Sequence, residues 1–160
     1  MEMKRKNTLI YVGAVLLTEA VGVISGLMSR GGMQRFEAVM KPALTPPAVV
    51  FPIVWTILYA LMGIGAARLY LSSESEGRSR GLWLFLLQLI LNFFWSLFFF
   101  NLQAFGFSLG LLVILWILIL LMTVSFRKSD RVAALLQIPY LIWVAFAGYL
   151  NWMIWLLSGK

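Results

Sequence analysis

The chain has 160 residues, 62% of them hydrophobic and only 12% charged, with a mean hydropathy of +0.92, and so little polar surface cannot coat a soluble globule of that size. The net charge of +7 sits in short clusters between apolar runs rather than on one basic face, which argues against nucleic acid as a partner. The absence of Cys and His excludes disulfides and thiolate nucleophiles and removes the commonest zinc and haem ligands, so no metal centre and no fixed cofactor is expected.

The opening Met1-Glu2-Met3-Lys4-Arg5-Lys6 resembles the basic start of a signal peptide, but the apolar run behind it is too long and carries Glu19. It reads as a retained first helix. Windows of roughly 20 apolar residues predict five transmembrane helices, forming one domain over residues 1–160. The first covers about 8–28 and is punctuated by Ser29-Arg30-Gly31-Gly32. In the loop that follows, Phe36, Val39 and Met40 lie at helical spacing before Lys41-Pro42 and Thr45-Pro46-Pro47 stop any helix, so the loop is expected to be structured. The second span covers about 49–71, with Pro52 tolerated in its first turn. A polar loop, 72–80, leads to a third span at about 81–100. Asn101-Leu102-Gln103 then make a turn so short that the fourth span, about 104–126, must run antiparallel beside the third. After Arg127-Lys128-Ser129-Asp130-Arg131 the fifth span covers about 132–157, with Pro139 expected to kink its first half.

With five spans, Lys4, Arg5, Lys6, Arg78, Arg80, Arg127, Lys128 and Arg131 share one side, against Arg30, Arg35, Lys41 and Lys160 on the other. The positive-inside rule therefore places the N-terminus of this multi-pass protein in the cytoplasm.

Glu19 lies inside the first span, where an isolated carboxylate costs several kcal/mol unless neutral or paired, so it is expected to face the bundle, as a ligand or proton site or as a structural hydrogen-bond partner. In the third span Gln88, Asn92 and Ser96 recur at four-residue spacing and draw a polar stripe beside Trp95, fit either to bond adjacent helices or to contact a ligand. Trp55 and Tyr59 lie four apart in the second span, and Trp143, Ala147 and Asn151 share a face of the fifth with Tyr140 nearby. Trp83, Trp152 and Trp155 near span ends read as interfacial belt residues, whereas Trp55, Trp95 and Trp143 lie inside spans and read either as core or as the wall of a cavity for flat aromatic ligands. Gly22/Gly26, Gly106/Gly110 and Gly63/Ala67 are small-residue pairs that permit close helix approach. No Ser has a base at motif spacing, so a hydrolase triad is not supported.

Four ordered motifs carry a resemblance that spans nearly the whole chain. They are Lys41-Pro42-Ala43-Leu44-Thr45-Pro46-Pro47, Pro52-Ile53-Val54-Trp55-Thr56-Ile57-Leu58-Tyr59 continuing to Gly63, Gln88 through Asn92 to Trp95, and Pro139-Tyr140-Leu141-Ile142-Trp143 through Ala147 to Asn151. In these the chain resembles the TspO/MBR family of translocator and tryptophan-rich sensory proteins. The resemblance implies five packed helices around a cavity lidded by the first loop, binding protoporphyrin IX and other porphyrins, sterols and isoquinoline or benzodiazepine-type ligands, with homodimers common. It implies ligand contacts at Trp55, Asn92, Trp143 and Ala147, and a role for Trp55 and Trp143 in light-dependent porphyrin breakdown; Tyr59, Trp95, Tyr140, Asn151, Pro46 and Pro47 complete the candidate ligand-binding set. Leu44 departs from the Trp usual in the loop motif, Phe36 from a position often Trp or Tyr, and Tyr149 is followed only distantly by a basic residue, Lys160, unlike the family's animal sterol motif.

Arg30, Arg35 and Lys41 at the mouth are candidates to neutralise porphyrin propionates. The leading expectation is a tetrapyrrole-binding membrane protein acting as sensor, carrier or scavenger. The alternatives are an enzyme that degrades protoporphyrin IX with light and oxygen, and a proton-coupled transporter motivated by Glu19 and the polar stripe.

Overall fold

The computed structural model describes residues 2–73 and 75–159, so Met1, Glu74 and Lys160, and with Lys160 its place in the charge balance and the sterol motif, lie outside the described residues. Seven α-helices occur among these: α1 (Glu2–Met28), α2 (Arg30–Phe36), α3 (Val50–Leu71), α4 (Glu76–Ser96), α5 (Phe105–Ser129), α6 (Arg131–Leu135) and α7 (Ile138–Leu157). A π-helical turn at Leu97–Asn101 extends α4. Five stretches are long and apolar enough to cross a membrane: α1, α3, α4 with its π turn, α5, and α6 together with α7. This is an all-α bundle whose outward faces are apolar, as a bilayer requires of helices that satisfy every backbone group internally.

The boundaries differ from the sequence reading for local reasons. Helix α1 starts at Glu2 and α4 at Glu76, each beyond the apolar window, because polar residues continue a helix into the aqueous border at no cost. Ser75 caps α4 by accepting a bond from Arg78 N at 3.1 Å. Arg30, Gly31 and Gly32 are not a break but the first turn of α2. Pro139 does not kink a continuous helix. The fifth span is interrupted at Leu136–Gln137, and Pro139 sits in the first turn of α7, where its missing N–H is harmless.

The bundle has two unlike halves. Toward the end that carries the N-terminus, the core is aliphatic apart from Phe85 and Phe126: Met62, Leu69, Leu115, Ile119 and Met122 are fully buried. Toward the first loop it is aromatic, built from Trp55, Tyr59, Trp95, Phe99, Phe105 and Tyr140. Helix α1 is the least embedded span and packs chiefly on α3. Gly63 makes that contact close: a Cβ there would lie 2.7 Å from the Cα of Val15 and 2.9 Å from the carbonyl oxygen of Ala14. Gly22 faces the Tyr59 ring and Gly106 the Trp155 indole, while Gly26 and Gly110 face open space, so each GxxxG has one member in the bundle and one outside. Trp155 accordingly packs on α5 instead of standing free at the interface, whereas Trp83 and Trp152 are exposed as belt residues would be.

The first loop is ordered against the opposite turn. Ser29 bonds Ser96 at 2.9 Å, Arg35 donates to Asn101 O at 3.1 Å, and Asn101 Nδ2 donates to Met28 O at 2.9 Å. At the other end, Asp130 caps α6 through Ala133 N at 2.9 Å and pairs with Arg68 at 3.0 Å. Burial works against the Asp130 charge, but the Ala133 N–H and the Arg68 guanidinium hold its carboxyl below the usual carboxylate range.

Candidate functional site

The aromatic half is assembled by three helices. Trp55 and Tyr59, one turn apart on α3, place their rings 5.6 Å apart. Helix α4 brings Trp95 to 6.4 Å from Trp55, and α7 brings Tyr140 to 6.2 Å from the same indole. Trp95 stacks on Phe99 of the π turn at 5.4 Å. A second group of rings lies on the flank of α7, where Phe51 meets Trp143 at 5.9 Å and Trp143 meets Phe146 at 5.7 Å. Two clefts are described elsewhere: one of about 500 Å³ by Ser75 and Arg78, and an apolar groove of about 220 Å³ between α5 and α7 beside Trp116.

The polar stripe of α4 orients this cluster. Gln88 and Asn92 are buried and Ser96 half-buried, and each bonds a neighbouring element. Tyr140 Oη donates to Gln88 Oε1 at 2.8 Å, and Gln88 Nε2 reaches the Met62 sulfur at 3.8 Å. Asn92 Nδ2 donates to Tyr59 Oη at 3.2 Å. Asn151 is the second hub: its Oδ1 accepts from Trp95 Nε1 at 3.3 Å and from Ser108 Oγ at 3.1 Å, and its Nδ2 donates to Phe105 O at 2.8 Å. In a dry interior an amide that makes two or three such bonds fixes the rotamers of the rings it holds. The stripe therefore bonds helices and presents aromatic rings at once. Ala147, one turn before Asn151 on α7, is buried in the core.

One polar atom in this half has no partner. The Trp143 Nε1–H is buried with no acceptor in the structure, unlike the indole of Trp95. A buried N–H left unpaired costs about 1–3 kcal/mol.

The remaining sequence candidates are placed as follows. Glu19 is half-buried on α1, one turn before Gly22 and thus beside the Tyr59 ring, and it makes no hydrogen bond or ion pair among the described residues. Thr18 next to it is buried and donates to Tyr59 O at 2.7 Å, fixing α1 on α3. Arg35 is bonded to the π turn, and Lys41 donates to Glu37 O at 3.1 Å with its ammonium 5.1 Å from the centre of the Phe36 ring. Arg30 is exposed. Pro46 is half-buried and Pro47 exposed in the chain leading to α3, and Leu44 is 66% exposed. Phe36, by contrast, reaches inward to Phe99 at 5.2 Å and Phe100 at 5.4 Å, so it plugs the mouth. The sequence reading passed over Phe51, Phe99, Phe105 and Ser108. Phe51 and Phe99 each lie four residues from a cluster Trp on the same helix, a signal that was available; the contacts of Phe105 and Ser108 depend on the turn into α5.

A model of the TspO/MBR family matches residues 14–156, a range that includes the whole aromatic cluster and the lid. The chain belongs to the TspO/MBR family. It is 40% identical over 120 residues to the tryptophan-rich protein TspO of Chlorobaculum tepidum, covering 74% of this chain and 76% of that one. It is 37% identical over 156 residues to the protein of the same name from Archaeoglobus fulgidus, covering 96% and 99%. Similarity extends to the translocator protein of Bos taurus, 31% identical over 147 residues, 90% of this chain and 87% of the relative. Family membership and the five apolar helices together make this an integral, multi-pass membrane protein.

Proposed function

We propose that this TspO/MBR family member binds a flat aromatic molecule of the tetrapyrrole class among the rings of its lid-side half, acting as a sensor, carrier or scavenger. The observation that carries this reading is the buried, unpartnered Trp143 Nε1–H on the flank of an aromatic half that packs rings from α3, α4 and α7 together. A planar macrocycle can replace ring–ring contacts by ring–ligand contacts of the same kind, so opening the cluster exchanges one set of stacking energies for another. A carbonyl or carboxylate oxygen on the ligand then supplies the missing acceptor. With the N-terminus in the cytoplasm, as the basic residues indicate, the site lies toward the opposite membrane face.

The test is equilibrium titration of the full chain in nanodiscs with protoporphyrin IX in the dark, following tryptophan emission. Saturable quenching is expected. Quenching that grows linearly with porphyrin, as partition into lipid alone would give, refutes the reading.

Trp55 touches three other oxidisable rings, Tyr59, Trp95 and Tyr140, all within 6.4 Å, and this favours a second reading in which excited porphyrin reacts with dioxygen beside Trp55. Its signature is protein-dependent bleaching under light and oxygen that Trp55→Phe removes while dark binding persists.

A further inference from the structure

The lid and the flank of the site are closed by different kinds of contact. On the aqueous side, the α1–α2 junction and α2 itself are held to the end of α4 and its π turn by directional bonds: Ser29 to Ser96 and Asn101 to Met28 O at the junction, and Arg35 to Asn101 O from α2. Gly32 lets the backbones meet there, since a Cβ would overlap Asn101 Oδ1 and the Phe100 backbone, and Phe36 is packed among Phe99, Phe100 and Phe105. On the flank, α3 and α7 make little backbone contact, and no hydrogen bond joins them among the described residues. Rings meet across this seam, Phe51 with Trp143 and Trp55 with Tyr140. Their separation is pinned only at the other end, where Gln137 rests against Gly65 and Arg68 pairs with Asp130.

The α7 edge of this seam is a ladder of rings. Trp143, Phe146 and Tyr149 follow at three-residue intervals, all half-buried, with centroid separations of 5.7 and 6.4 Å. Ile53 and Ile142, 56% and 65% exposed, point to the lipid beside it. The unpartnered Trp143 Nε1–H thus stands at the junction between seam and cluster.

We infer that the α3–α7 seam is a lateral portal, through which a flat aromatic molecule dissolved in the bilayer passes to and from the ring cluster, with the Phe51–Trp143 contact as its gate. The inference rests on the tetrapyrrole reading and adds the route. Parting two rings in hydrocarbon requires no hydrogen bond to break, and an incoming planar solute offers the same stacking to the ladder that the gate gives up. Lifting α2, in contrast, breaks the Arg35 bond to Asn101 O, parts the close approach at Gly32 and withdraws an aromatic plug. The wide apolar ring of protoporphyrin IX also concentrates it in the membrane despite its two propionates, which places the supply on the seam's side.

The test compares release rates of bound protoporphyrin IX from the full chain in phosphatidylcholine nanodiscs, read as recovery of tryptophan emission on mixing with excess empty vesicles. Phe51→Leu removes the gate ring and is expected to speed release about two- to tenfold, the range that corresponds to one aromatic pair. Asn101→Ala loosens the lid by deleting the bond to Met28 O and is expected to change release by less than about twofold. If Phe51→Leu fails to fold, judged by gel filtration, Phe146→Leu on the opposite edge takes its place. Acceleration by Asn101→Ala equal to or greater than that of the gate variant, or no acceleration by either, overturns the portal. Absence of saturable quenching in the unmodified chain removes the tetrapyrrole reading itself, before any variant is compared, and the portal falls with it.

Discussion

Two buried tryptophans in this site differ in one atom's circumstances, and the difference can be measured. Trp95 Nε1 donates to Asn151 Oδ1, whereas Trp143 Nε1 donates to nothing. Replacing each by Phe removes the same N–H and a similar amount of ring. For Trp95, only 6% exposed, the loss of the bond and the void left behind should together destabilise the protein by about 2–3 kcal/mol. For Trp143, deleting an unsatisfied donor offsets the lost packing, and lipid can fill part of the space at this half-exposed flank, so stability should change by less than about 1 kcal/mol. Ligand affinity should respond in the opposite sense. If bound porphyrin supplies the acceptor, Trp143→Phe forfeits about 1–2 kcal/mol of binding, or about five- to thirtyfold in Kd. Thermal unfolding in detergent gives the first quantity and dark titration with protoporphyrin IX the second. A Trp143→Phe variant that is as destabilised as Trp95→Phe and binds with unchanged affinity would show that the indole N–H already has a partner in the free protein, and would falsify its assignment to the ligand.

Other consequences are structural. Gly63→Ala sets a methyl 2.7 Å from the Val15 backbone and 2.8 Å from Thr18 Oγ1, so α1 must move off α3; a loss of about 1–3 kcal/mol in detergent unfolding is expected, and an unchanged midpoint would refute the close approach. Asn151→Leu leaves Trp95 Nε1 without an acceptor, while Ser108 Oγ keeps its bond to Phe105 O at 3.0 Å, and should cost about 1–3 kcal/mol, with Trp95 emission shifting as its ring loses its anchor. Because the Asp130 carboxyl is held below its ordinary 3.8, its contribution is fully present above that value and is lost only as pH falls through the lower folded value. Stability should therefore show no Asp130-dependent change between about pH 8 and 5, and Asp130→Ala, which removes both cap and ion pair, should cost about 1–2 kcal/mol in that window and progressively less in more acidic buffer.

How much of the site was legible in the sequence can be judged residue by residue. Trp55 and Tyr59 share a face of one helix by spacing alone, and so do Gln88, Asn92 and Ser96, because 3.6 residues per turn fixes such neighbours whatever the rest of the chain does. That the stripe would face protein was also legible, since an amide in hydrocarbon has no other acceptable place. Which partner each amide would take was not. Asn92 meets Tyr59, Gln88 meets Tyr140 and Asn151 meets Trp95, and each pairing depends on the depth and rotation of a second helix. Glu19 shows the same limit: its presence in a span is a fact of sequence, but its half-buried position beside the Tyr59 ring follows from Gly22 accepting that ring.

Sequence by itself determined the solvent, the number of crossings and the family motifs, because these are sums over long apolar windows or strings of adjacent residues, and neither needs to know how helices meet. Tertiary structure alone decided that the first-loop glycines are helical, that Lys41 and Arg35 are spent on the lid itself, and that Trp55 and Trp95 pack together while Trp143 meets Phe51 and Phe146. It alone also separated the paired indole of Trp95 from the unpaired one of Trp143. These depend on contacts between residues tens of positions apart, whose energies of about 1 kcal/mol each are set by ångström-scale placement that no local pattern encodes.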